Sequence, residues 1–157
     1  YWRGIAAWYA GEHAEARRWI EQAYALDPAD PIAQGVLAFV LATDPGDPSG
    51  TGEPARTRAR ELLATAEPGA AADGTFTYWI AKVHALLGDS AAALDWIRKA
   101  AALCYWDAPS MRKVAPLASL HGLPECAALT AEIESRQRAF RAFVKKEAPT
   151  NLALLPI

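Results

Sequence analysis

The chain has 157 residues, enough to bury a core in one domain, and 52% of them are hydrophobic against 22% charged. A formal net charge of −2 gives no field that would draw nucleic acid or an anionic membrane, so neither partner is expected. No apolar run reaches the roughly 18 residues that a membrane span needs. Glu12 interrupts the apolar start, so no secretory leader is read, and a cytoplasmic location is expected.

Residues 1–28 read as a helical hairpin. Gly4 is the small residue of its first helix, and Gly11 marks the turn. Ala16, Ile20 and Ala23 recur at i, i+4 and i+7, which places them on one face of the second helix. Asp27-Pro28 and Asp30-Pro31 then stop one helix and start the next, because Asp caps a helix and Pro suits its first turn. Residues 31–68 read as a second unit, with Ala38 in its first helix and Ala59, Leu63 and Ala66 in its second. Between them, residues 43–57 (TDPGDPSGTGEPART) are rich in Pro, Gly, Ser and Asp and read as an inserted loop.

Residues 74–105 read as a third unit. "GDSAAALDWIRKAAAL" at 88–103 restates "GEHAEARRWIEQAYAL" at 11–26. Ala93, Ile97 and Ala100 repeat the spacing of the first two units, and Ala59 and Ala93 stand 34 residues apart. Ala16 and Ala59 stand 43 apart, and the 43–57 segment absorbs the excess. Small side chains let paired helices approach closely, while Ile20, Leu63 and Ile97 fill the space one turn away. A single hairpin cannot bury its own apolar face, so stacking is required. Residues 106–147 read as capping helices. The last helix runs from Pro124 to about Lys146, with an apolar stripe of Leu129, Ile133, Phe140 and Val144 that Gln137 interrupts. The apolar tail 148–157 is expected to fold back on the domain or pack on a neighbouring chain.

The spacing of Gly11, Ala16, Ala23 and Pro28, and of Ala81, Gly88, Ala93 and Ala100, resembles the tetratricopeptide-repeat (TPR) family, whose period is about 34 residues. Tyr105 stands where the third unit's closing proline would be. Pro116, Leu120, Pro124 and Leu129 are similar to the tail that ends such arrays in bacterial regulatory and signalling proteins, although Ala115, His121, Leu123 and Cys126 depart from it. The resemblance implies an all-α fold: a right-handed superhelix of antiparallel helix hairpins, closed by a C-terminal capping hairpin or long helix. It also implies a non-catalytic protein–protein interaction scaffold without cofactors. A peptide or partner domain would lie in a concave apolar groove lined by Tyr1, Ile5, Trp8, Tyr9, Ile32, Phe39, Tyr78, Lys82 and Leu86. Trp8 and Tyr9 read equally well as packing beneath a preceding hairpin, and for Trp2 packing is the favoured reading. The chain opens mid-pattern without Met, and it is expected to be the C-terminal part of a longer bacterial protein. Self-association into a dimer is the alternative function.

Little in the sequence points to chemistry. His13, His84 and His121 form no pair at metal-ligand spacing and read as packing or surface residues. Cys104 and Cys126 read as reduced thiols, with a single disulfide as the alternative, and Cys104 as a buried small apolar residue. An enzymatic reading would need His84, Cys104 and a carboxylate within hydrogen-bond reach. Ser110 and Ser119 read as helix caps, and Arg136, Arg138, Arg141, Lys145 and Lys146 as a solvated face. Some TPR grooves hold a peptide's C-terminal carboxylates with Lys and Asn; only Lys82 fits such a role, so that activity is not expected.

Overall fold

The computed structural model describes residues 1–43, 52–70 and 72–147, and the apolar tail 148–157 lies outside them. Among them every regular element is a helix, and there is no strand. In chain order these are α1 (Trp2–Tyr9), α2 (His13–Leu26), α3 (Pro31–Thr43), α4 (Glu53–Ala70), α5 (Gly74–Leu87), α6 (Ser90–Ala102) and α7 (Ala108–Lys113). A 3₁₀ helix (Ala115–Leu120) and α8 (Pro124–Glu147) follow. Among the described residues no helix is long and apolar enough to cross a membrane.

The helices pack in sequential pairs, α1 with α2, α3 with α4 and α5 with α6; α3 also packs on α5. The alanine pattern explains the pairing. Ala16, Ile20, Ala59, Leu63, Ala66, Ala93, Ile97 and Ala100 are all buried. Ala23 is the exception and is only half-buried. Close approach is strictest at Gly4, where an added Cβ would lie 2.5 Å from Ile20 Cγ1 and 3.0 Å from the Ala16 carbonyl oxygen. Gly11 and Gly88 serve a different purpose, since nothing lies within 4 Å of a Cβ at either. Their φ angles of 81° and 88° are left-handed. The amide of Gly11 bonds the Trp8 carbonyl and that of Glu12 bonds Ala7; Gly88 to Ala85 and Asp89 to His84 repeat the arrangement. This is the glycine-closed helix end, and a new helix follows at once. Asp30, Asp73, Asp89 and Asp107 then cap α3, α5, α6 and α7 by accepting the amides of Ile32, Phe76, Ala92 and Ser110.

Three expectations are corrected. The 43–57 segment is not loop throughout: α3 includes Thr43 and α4 begins at Glu53, with residues 44–51 outside the described residues. Pro54 falls in the first turn of α4, where its missing amide costs nothing. Cys104 is exposed, not buried, and sits just past α6 at φ 65°. Neither Ser110 nor Ser119 caps a helix N-terminus: Asp107 caps α7, and the Ser119 hydroxyl donates instead to the Ala85 carbonyl in the last turn of α5.

Two hydrophobic clusters form the core. Val36, Phe39, Leu62 and Leu63 lead the first. Leu94, Ile97, Met111, Leu117, Leu120, Leu129 and Ile133 lead the second. α5 belongs to both, with Phe76, Ile80 and Val83 in the first and Tyr78, Ala81 and Ala85 in the second. The stripe of α8 is best covered in its first half. Leu129 and Ile133 are buried and Val144 is half-buried, whereas Phe140, edge-on to Trp106 at 5.5 Å, is 52% exposed, and Phe143 beside the stripe is 62% exposed.

Candidate functional site: a run of rings ending at Lys82

The residues that the sequence assigns to one groove divide by burial. Tyr1, Ile5, Trp8, Ile32 and Leu86 are half-buried against the first core cluster. Tyr9 is 57% exposed. Phe39, Tyr78 and Lys82 are buried.

Aromatic contacts link several of them in series. The Tyr9 ring meets Trp8 edge-on at 5.1 Å between centres, Trp8 meets Phe39 at 4.7 Å, and Phe39 meets Trp79 at 4.7 Å. The run thus crosses α1, α3 and α5 in the tilted and edge-on geometries that ring quadrupoles favour. Trp8 is held by ring contacts and by a hydrogen bond at its indole edge. Its Nε1 donates to Thr43 Oγ1 at 3.1 Å, and that hydroxyl donates onward to the Phe39 and Val40 carbonyls. Phe39, enclosed between Trp8 and Trp79, presents nothing to a partner.

Beyond Trp79 lies a cation. Lys82 Nζ stands 4.7 Å from the Trp79 ring centre and 4.9 Å from that of Tyr78. Tyr78 in turn meets Tyr105 at 4.8 Å. Lys82 is 6% exposed and has neither an ion pair nor a hydrogen bond among the described residues. Burial pulls its ammonium from the ordinary 10.5 down to about 8, against the opposing attraction of Asp107. The Asp107 carboxylate is engaged elsewhere, capping α7 through the Ser110 amide. Burial, and then the fields of neighbouring Tyr105 and Asp107, push the Tyr78 hydroxyl far above the tyrosine range. Burial and then Asp107 push Tyr105 up to about 12. Burial alone raises Tyr9, whose field also reaches both Tyr78 and Tyr105. The Tyr78 hydroxyl and Trp79 Nε1 are buried without hydrogen-bond partners.

Trp79, Tyr105 and Asp107 belong to this cluster and escape sequence reasoning. The one available signal is Tyr105 in the place of a closing proline.

The other polar groups lie apart from it. His84 Nε2 is 2.8 Å from Glu67 Oε1, and its ring stacks on Trp96 at 6.5 Å between centres and 16° between planes. It joins α4, α5 and α6. Its Nδ1 is 3.9 Å from Asp89, which precedes α6, while Cys104 follows the other end of that helix. About 20 Å of helix therefore separates the two. His121 and Cys126 line a recess with Met111, Arg112 and Thr130, where burial pushes the Cys126 thiol up toward its unreactive protonated form. Among the described residues no three His, Cys, Asp or Glu side chains are grouped to hold a metal ion. The basic residues of α8 are exposed, and two of them pair along the helix, Arg136 with Glu132 and Arg138 with Glu134.

Compared with protein-family models, with curated proteins and with solved structures, the chain gives no match.

Proposed function

We propose that this chain is a non-catalytic interaction scaffold of the tetratricopeptide type. In this reading its hairpins form a right-handed superhelix closed by α7 and α8, and the face shared by α1, α3 and α5 receives an apolar segment of a partner protein. The observation that carries the reading is the run of rings from Tyr9 through Trp8, Phe39 and Trp79 to Lys82. It is drawn from the first helix of each successive hairpin. Aromatic side chains held in place by their neighbours make strong anchors. A face already ordered also leaves most of the ordering cost to the partner.

Peptides selected against the whole chain from a random display library test this. Titrated into isotope-labelled protein, such a peptide is expected to shift the signals of Trp8, Tyr9, Tyr105 and the Trp79 indole. Shifts confined to the outer sides of α2, α4 and α6, or a library that yields no binder, contradict the reading.

Exposed Phe140 and Phe143 favour a second reading, self-association through α8.

A further inference from the structure

Lys82 is in an unusual position for a lysine. An ammonium taken out of water is normally paired or bonded. The Lys82 side chain as a whole is only 6% exposed; its Nζ lies against two rings and keeps its remaining contact with water. Cation–π attraction offsets only part of the lost hydration. Asp107 pulls on it from a distance while serving the Ser110 amide. The Tyr78 hydroxyl and the Trp79 Nε1–H are buried and unbonded. Positions 78, 79 and 82 are one turn of α5, so that turn carries a hydroxyl and an indole N–H buried without acceptors, and an ammonium that has no protein acceptor among the described residues. The Asp107 carboxylate is committed to the Ser110 amide and to Tyr105, so Lys82 has no anionic oxygen of its own among the described residues.

The charge and the walls narrow the choice. A phosphoryl group brings close to two negative charges, too many for one ammonium that already feels Asp107. A carboxylate brings one. The ammonium is flanked by the rings of Tyr78 and Trp79, an apolar setting that suits a carboxylate carried on a short aliphatic stem better than a chain end with its polar backbone.

We propose that the Lys82 ammonium, flanked by Tyr78 and Trp79, receives the side-chain carboxylate of an internal Glu or Asp in the bound partner segment. This rests on the scaffold reading above. The partner is therefore an apolar segment carrying one acidic residue at a fixed place. The bond it makes is the charge-assisted one that Lys82 does not find within its own chain.

The probes are random peptides displayed in two formats, one with both ends fused and one with free C-termini. They are selected against the full chain and against Lys82→Met, whose stem is of similar length and whose fold is checked by circular dichroism. The internally fused library is expected to yield binders that share an acidic residue at one position. Changing that Glu to Gln should weaken binding to the wild type at least about tenfold, and binding to Lys82→Met by no more than about twofold. The Gln peptide leaves the protein untouched, so its result does not depend on how well the variant folds. Binders that map to the ring face but ignore the Glu-to-Gln change overturn this inference and leave the scaffold reading standing. Binders found only with free C-termini, and abolished by amidation, overturn the choice of an internal side chain. Absence of binders from both formats overturns both readings.

Discussion

Cys104 ends α6 in a conformation that glycine usually supplies. Its φ is 65°, and around it the Cys104 amide bonds the Ala101 carbonyl while the Tyr105 amide bonds Ala100. That is the hydrogen-bond pattern found at Gly11 and Gly88, with a side chain added. A left-handed L-residue is strained by roughly 1–2 kcal/mol. Cys104→Gly is therefore expected to stabilise the chain by about 1 kcal/mol in urea unfolding. Equal or lower stability would show that the thiol does something for the fold that its exposure hides. The sequence conceals this residue because small apolar character predicts burial, whereas the backbone angle, a property of the finished turn, decides the outcome. Phe39 shows the same limit from the other side. Its register puts it on the face of the first helices, but only the tertiary arrangement places Trp8 and Trp79 on either side of its ring.

At the scale of elements, the hairpins were legible because their determinants are local. Alanines at i and i+7 share a face whatever the rest of the chain does, and Gly11 and Gly88 close helices by φ alone. Those determinants expose a weak point in α1, a helix of 8 residues. Gly4→Ala would push a methyl against Ile20, which is fully buried and has nowhere to move. The expected cost is about 1–3 kcal/mol, with faster amide exchange throughout α1. Exchange that rises instead across all helices alike would mean that α1 does not open on its own. The start of α4 was not legible, since Pro and Gly read as loop while Pro54 in a first turn is compatible with helix. Nor was the His84 bridge, which needs Glu67 of α4 and Trp96 of α6 to be brought to it.

The whole molecule is organised around α5, which faces both core clusters and carries Lys82 where the run of rings ends. The Lys82 site was half legible: its own register was clear, but Trp79, Tyr105 and Asp107 come together only when α5 meets the segment after α6. The far end of α8 bears on assembly. If Phe140 and Phe143 bury each other in a twin chain, light scattering should show a dimer that Phe140→Ser with Phe143→Ser converts to monomer. A wild type that stays monomeric at its highest soluble concentration removes that reading. The account depends most on Lys82 being buried and unpaired in the free chain, and global stability reports this directly. The unfolded amine titrates near its ordinary 10.5 and the folded one near 8, so between those pH values the unfolded chain holds more protons and stability rises with pH. Lys82→Met lacks the group. Measured by urea unfolding from pH 8 to 10.5, the wild type should gain on Lys82→Met by up to about 3 kcal/mol. Two curves that run parallel across that window would mean that the folded amine is as well hydrated as the unfolded one, or is paired, and would contradict the account.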